Sequence, residues 1–184
     1  MKTLVIVSHP YPEQSSAIKA LELTAAQAGD QVTVRNLEAI YGDNFGNGVF
    51  DVAAEQQAAD DADRIVFLFP IHWFNLTPML KAYLNQVWSY GWAFGSAFAL
   101  KDKELQVVVT AGATPFTYSA EGIIHSSMNE VLTPMKASAY YIGMKYNQPL
   151  AFYEAMGRSE SDLATFQQAF ATRLQAPLGS VLLD

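Results

Sequence analysis

Short runs of consecutive apolar residues alternate along this chain with stretches in which apolar residues recur every three or four positions. Thr3–Ser8, Ile65–Phe69 and Leu105–Thr110 are almost continuously apolar, as strands covered on both faces should be. Val32 and Val34 alternate with Thr33 and Arg35, which reads as a half-exposed edge strand. A fifth strand is expected near Tyr146–Phe152. Between the strands, Ile18, Leu21, Ala25 and Ala28 form the buried stripe of a helix that starts at Ser15 or Ser16 and ends at Gly29-Asp30. Val52–Asp61 reads as a second helix. Leu80, Leu84, Val87 and Trp88 mark a third, opened by Thr77-Pro78, a capping residue followed by proline at the first helical position. Helical spacing returns at Met128, Val131, Leu132 and Met135, with a break at Pro134. A final helix over Leu163, Phe166, Phe170 and Leu174 starts at Ser159 or Ser161. Glu38 to Phe50 is polar and rich in Gly and Asn, which predicts a long surface loop.

Strands alternating with helices imply a parallel sheet with right-handed crossovers. Five strands, the second of them polar on one face and at an edge, fit an α/β three-layer sandwich with the flavodoxin-like order 2-1-3-4-5. The 184 residues, 51% of them hydrophobic, suit one domain over 1–184. No apolar run approaches the roughly 20 residues of a membrane helix. Met1-Lys2 leads directly into the first strand, so no signal peptide and a cytoplasmic location are expected. The absence of cysteine excludes disulfides, thiolate catalysis and Cys-ligated metals, and no metal site is expected. A net charge of −7 without any Lys/Arg cluster argues against nucleic-acid binding.

In open parallel sheets, ligands bind at the carboxyl ends of the strands. All three histidines fall after apolar runs: His9 after the first, His72 after the third, and His125 some way beyond the fourth. The first loop leads to Ser15, Ser16, Ala17 and Ile18 at a helix start, where free N–H groups and the helix dipole suit an anion. Simple capping by the two serines is the competing reading. In Pro70-Ile71-His72-Trp73-Phe74, two aromatics stand beside a polar ring, a pairing suited to a flat conjugated ligand and equally to a core. Thr110-Ala111-Gly112-Ala113 is built of small residues that let backbone approach a ligand closely, or that simply make a tight turn. Together the three loops offer a phosphate end, a stacking platform and a small-residue edge, the parts a flavin mononucleotide requires. No G-x-G-x-x-G follows a strand, and no G-x-x-x-x-G-K-[ST] is present.

Thr3–Ser8 with His9-Pro10-Tyr11-Pro12, Phe69-Pro70-Ile71-His72-Trp73-Phe74, Thr77-Pro78-Met79-Leu80-Lys81, Tyr90-Gly91-Trp92-Ala93-Phe94-Gly95 and Thr110-Ala111-Gly112-Ala113 resemble the NAD(P)H:quinone oxidoreductases of flavodoxin-like fold. The likeness runs to about Gln148. It is greatest to the short bacterial branch that includes the ancillary subunits of glutathione-gated potassium-efflux systems. The resemblance implies two-electron reduction of quinones by NADH or NADPH, through FMN rather than FAD, in a homodimer. By position it assigns His9 and Ser15–Ile18 to the phosphate and ribityl chain, and Ile71–Phe74 and Thr110–Ala113 to the flavin ring. It assigns Tyr118 to a hydrogen bond near the flavin that supports hydride transfer. His125 matches the family's partner histidine one residue out of register, so a surface helix position competes with a catalytic one. Ala111 and Ala113 stand where the family often has Thr and Gly. Trp92 and Phe94 would form an aromatic lid over the substrate, supplied by a neighbouring subunit.

An FMN-dependent NAD(P)H:quinone oxidoreductase of ping-pong mechanism is therefore expected. Two rivals remain: a flavodoxin-type electron carrier, and a flavin-binding regulatory subunit with a membrane-transporter partner.

Overall fold

Four long parallel strands make up most of the sheet: β1 (Thr3–Val7), β2 (Val32–Asn36), β3 (Arg64–Pro70) and β4 (Glu104–Thr110). The computed structural model describes residues 1–42 and 48–183. The strands run in the order β2-β1-β3-β4-β5, the expected flavodoxin-like arrangement. Two short strands share the fifth position. β5 (Lys145–Tyr146) pairs with Glu104 and Leu105, and β6 (Leu150–Phe152) pairs with Val108 to Thr110. Pro149, which lacks a ladder N–H, lies between them.

Alternate residues of each strand face opposite layers. Val5, Val7, Val66, Leu68 and Val108 pack with α1 (Ser16–Ala26) and α7 (Glu160–Gln175). Leu4, Ile6, Phe67, Phe69 and Val109 face the other layer, which includes α3 (Val52–Asp60), α4 (Pro78–Val87) and α6 (Thr133–Tyr141). Every residue of β1, β3 and β4 is buried, whereas β2 is only half-buried, as its alternation predicts.

Three expectations change. Part of the Glu38–Phe50 loop is α2 (Leu37–Tyr41), because the Asn36 side chain accepts a hydrogen bond from Ala39 N–H and caps a helical turn. Phe50 is buried in the core, and positions 43–47 of that predicted loop lie outside the described residues. The segment around Pro134 becomes two helices, α5 (Met128–Val131) and α6. Leu132 joins them, and proline sits in the first turn of the second. β3 and β4 each begin one residue earlier than their apolar runs, at Arg64 and Glu104, which are fully buried and paired in register.

That pair anchors the sheet's amino edge. Arg64 donates from Nε to Glu104 Oε2 at 2.8 Å, with Nη2 at the same ion-pair distance, and from Nη1 and Nη2 to the carbonyls of Arg173 and Ala176 at 2.9 Å. Its charge thus meets the carbonyl end of α7, where a cation is stabilising. Asn147 Nδ2 and the Gly179 N–H complete the shell around Glu104. The opposite, carboxyl edge carries the loops described next.

Candidate active site

β1 ends in a proline-broken loop and a single 3-10 turn (Pro12–Gln14) before α1. Ser15 is the cap of α1: its Oγ accepts from Ile18 N–H at 3.1 Å. Ser16 and Ala17, at the first helical positions, retain the outward N–H groups of a helix end. His9 is buried and its Nδ1 accepts the Tyr11 backbone N–H at 2.9 Å, which places the hydrogen of the neutral ring on Nε2. Burial lowers the basicity of His9, and the neighbouring His72 lowers it further. The two rings meet edge to face with centroids 5.9 Å apart.

After β3, Ile71 N–H donates to Thr110 C=O and ties the ends of β3 and β4 together. His72 C=O then accepts Asn75 N–H at 3.1 Å across a two-residue turn. Its central residues, Trp73 (φ 48°) and Phe74 (φ 61°), are both left-handed, the backbone of a type I′ turn. Asn-Gly is the usual occupant, and a side chain in this region is strained by about 1–2 kcal/mol per residue. Trp73 is 93% exposed, so burial does not offset the strain. Backbone strain of this kind collects at binding sites. Replacing Trp73 by Asn together with Phe74 by Gly should raise stability by about 1–2 kcal/mol in urea unfolding and weaken ligand retention. A destabilised double variant would mean that the two aromatics contribute more to the fold than the turn withholds.

After β4, Ala111 N–H donates to Phe152 C=O, while Ala111 C=O and Ala113 C=O accept from Ala155 and Glu154. These bonds draw the loop after β6 against the fourth-strand loop and leave Gly112 as its exposed member. A Cβ added to Gly112 would meet nothing within 4 Å, only open space.

A cleft of about 560 Å³ lies among these loops. Of the predicted residues it is lined by His9, Ser15, Ser16 and Ala17, by Pro70, Ile71 and His72, and by Thr110, Ala111 and Gly112. Tyr11, Gln14, Ala155 and Met156 line it too, and sequence reading missed them. Tyr11 and Gln14 belong to the loop already singled out. Ala155 and Met156 follow the weakest strand signal in the chain and reach the cleft through the backbone bonds that Glu154 and Ala155 make to the loop after β4.

The other candidates lie elsewhere. Ile18 is buried beneath α1. Trp73 and Phe74 stand at the exposed turn beside the cleft, and Ala113 lies behind it. Tyr118 is buried between Phe74 (centroids 6.1 Å) and Tyr153 (5.6 Å). Burial raises its phenol pKa, which keeps the hydroxyl protonated as a donor. His125 is exposed and left-handed (φ 50°) in a turn rather than a helix, with Nδ1 3.1 Å from Ala120 C=O. Trp92 is pinned within its own chain, Nε1 donating to Asp60 at 3.2 Å, while Phe94 stacks on Tyr90 and Tyr141. Neither lines this cleft.

The profile of the flavodoxin-like fold family matches residues 1–175. The chain belongs to that family. General stress protein 14 of Bacillus subtilis (strain 168) is 39% identical over 178 residues, covering 96% of this chain and 99% of the relative. An uncharacterized NAD(P)H oxidoreductase of the same organism is 34% identical, covering 96% and 99%. Among solved structures, general stress protein 14 of Treponema denticola in complex with FMN superposes with a TM-score of 0.83 at 36% identity, over 95% and 97% of the two chains. An NADPH-quinone reductase from P. pentosaceus superposes at 0.84 with 25% identity, over 94% and 97%.

Proposed function

We propose that the protein is an FMN-dependent NAD(P)H:quinone oxidoreductase, reducing quinones or similar small aromatic acceptors with NADH or NADPH. The observation that carries this reading is the cleft at the carboxyl edge, which combines a helix start and an open small-residue edge around one volume, with a strained aromatic turn beside it. That volume falls within the range of small-molecule sites. The open space over Gly112 fits a flat ring laid against the loop, and the donors at Ser16, Ala17 and His9 fit a phosphate. The relatives with NAD(P)H oxidoreductase and quinone-reductase names, and the FMN complex of a similar chain, support the same assignment.

When bound, FMN supplies the two-electron hydride chemistry. The chain supplies placement. Ser16 and Ala17 N–H groups and His9 Nε2–H would hold the phosphate end, and Ile71 and Gly112 would bound the ring. Trp73 and Phe74 offer an aromatic shelf at the rim, where nicotinamide and acceptor stack in turn, giving ping-pong kinetics. Tyr118, kept protonated by burial beside Phe74, would serve as a hydrogen-bond donor to charge developing on a bound flavin. The exposed rings of Tyr90 and Tyr141, flanking a half-buried Phe94, favour a homodimer in which a second copy covers them. A cytoplasmic location suits a pyridine-nucleotide substrate, and no helix among the described residues is long and apolar enough to cross a membrane.

The purified protein should be yellow, bleach on addition of NADH or NADPH, and regain colour with a quinone. A flavin-loaded protein that neither nucleotide bleaches would leave the electron-carrier or regulatory reading instead. Tyr118→Phe should slow nucleotide bleaching in stopped flow by about tenfold, or about 1.4 kcal/mol, with flavin affinity unchanged. An unaltered rate would leave this tyrosine a packing role.

A further inference from the structure

The cleft contains a charge problem. A flavin phosphate carries close to two negative charges near neutral pH, yet neither Lys nor Arg lines the cleft. Its polar groups are the hydroxyls of Ser15, Ser16, Thr110 and Tyr11, the Gln14 amide, and the imidazoles of His9 and His72. The nearby cations are already paired: Lys19 with Glu13 at 2.9 Å beside α1, and Arg158 with Glu154 at 2.6 Å after β6. Glu38 of α2 accepts from Ser8 Oγ at the end of β1 and adds a negative charge behind the first loop. Only an imidazolium can supply a positive charge inside the cleft.

The two imidazoles are not equivalent. His9 Nδ1 accepts the Tyr11 N–H, so protonating it would break that bond and put two N–H groups face to face. Burial and the neighbouring His72 also disfavour protonation of His9. His72 has no hydrogen-bond partner at either ring nitrogen among the described residues. It is only half-buried, and its ring lies 5.9 Å from His9 and 6.4 Å from Tyr11, at the phosphate end of the cleft. We propose that His72 is the proton-accepting cation of this site: His9 stays a neutral donor, and a phosphorylated flavin binds with uptake of one proton on His72. The inference rests on the reading of the cleft as a flavin site. It moves His72 from the ring to the phosphate, and it makes cofactor retention depend on pH.

The test titrates FMN and riboflavin into the full-length chain freed of flavin by dialysis, from pH 6 to pH 8, by quenching of flavin fluorescence. FMN affinity should fall about tenfold or more over this range, since uptake of one proton changes affinity by up to tenfold per pH unit. Riboflavin, lacking the phosphate, should bind with a flat profile. The phosphate's own second ionisation, near pH 6, drives FMN binding the opposite way if it acts at all. His72→Gln should hold FMN at the weak, high-pH level across the range, while His9→Gln weakens FMN but keeps the slope. A wild-type FMN profile that is flat or rises with pH overturns the proposal, as does a slope that survives His72→Gln. A slope lost only in His9→Gln puts the proton on the wrong ring for this inference. Failure of both flavins to bind at any pH would instead remove the flavin reading itself.

Discussion

Arg64→Leu should destabilise the fold by about 3–5 kcal/mol, because it leaves a carboxylate buried without its cation. Glu104 is almost completely inaccessible. The replacement also takes donors away from the carbonyls of Arg173 and Ala176 at the end of α7. Urea unfolding at pH 7 measures the loss, and a change below about 1 kcal/mol would show that the pair is peripheral to stability. Replacing Arg64 and Glu104 together by leucine should recover most of the loss, since buried ion pairs often exchange for apolar pairs at little net change.

The same pair sets an acid limit. Burial pushes the Glu104 carboxyl up, but hydrogen bonds from Asn147, Gly179 N–H and Arg64 more than offset this and hold it below the usual carboxylate range. A depressed folded-state pKa gives stabilisation that is complete above the ordinary value of 4.5 and lost as pH falls through the lower folded value. The wild type should therefore keep this contribution down to about pH 4.5 and lose it progressively below that, as its urea midpoint records. In Arg64→Leu the Glu104 carboxyl loses the cation that helps to depress its pKa, so this acid-linked loss should be smaller than in the wild type.

Ser15→Asp combined with Ser16→Asp should weaken FMN binding by about a hundredfold or more, equivalent to about 2.7 kcal/mol. Aspartate caps a helix as well as serine does, so the bond that Ser15 Oγ accepts from Ile18 N–H has a replacement, and the N-terminal dipole favours the new charges. Thermal stability should be kept or raised while flavin is lost through like-charge repulsion with the phosphate. Riboflavin should lose much less affinity. Normal FMN content in a well-folded double variant would place the phosphate away from α1.

The strand and helix order was legible because burial imposes periodicity directly. β1, β3 and β4 are covered on both faces, so they read as apolar runs, and β2, at an edge, alternates. The cleft's first half was legible for a related reason. In a parallel sheet every strand's carboxyl end falls on one side, so loops after Val7, Pro70 and Thr110 must converge, and His9, Ser16, Ile71 and Gly112 do line one volume.

Other features depend on contacts between residues far apart in the chain. Arg64 and Glu104 read as strand-flanking charges, and only the register of β3 on β4 with the end of α7 above them makes them a buried pair. Ala155 and Met156 carry no chemical signal, and two backbone bonds to the distant loop after β4 bring their segment to the cleft. Trp92 has the composition of a lid residue, but its indole N–H finds Asp60 in its own chain. His125 follows the expected order of residues, but the turn that closes on Gly122 points it outward. By itself the sequence determined the architecture, the edge that bears the site and most of the cleft's lining. Tertiary structure decided which charges are buried, which loop completes the cleft and which aromatics stay out of it, because these follow from pairings that no local pattern encodes.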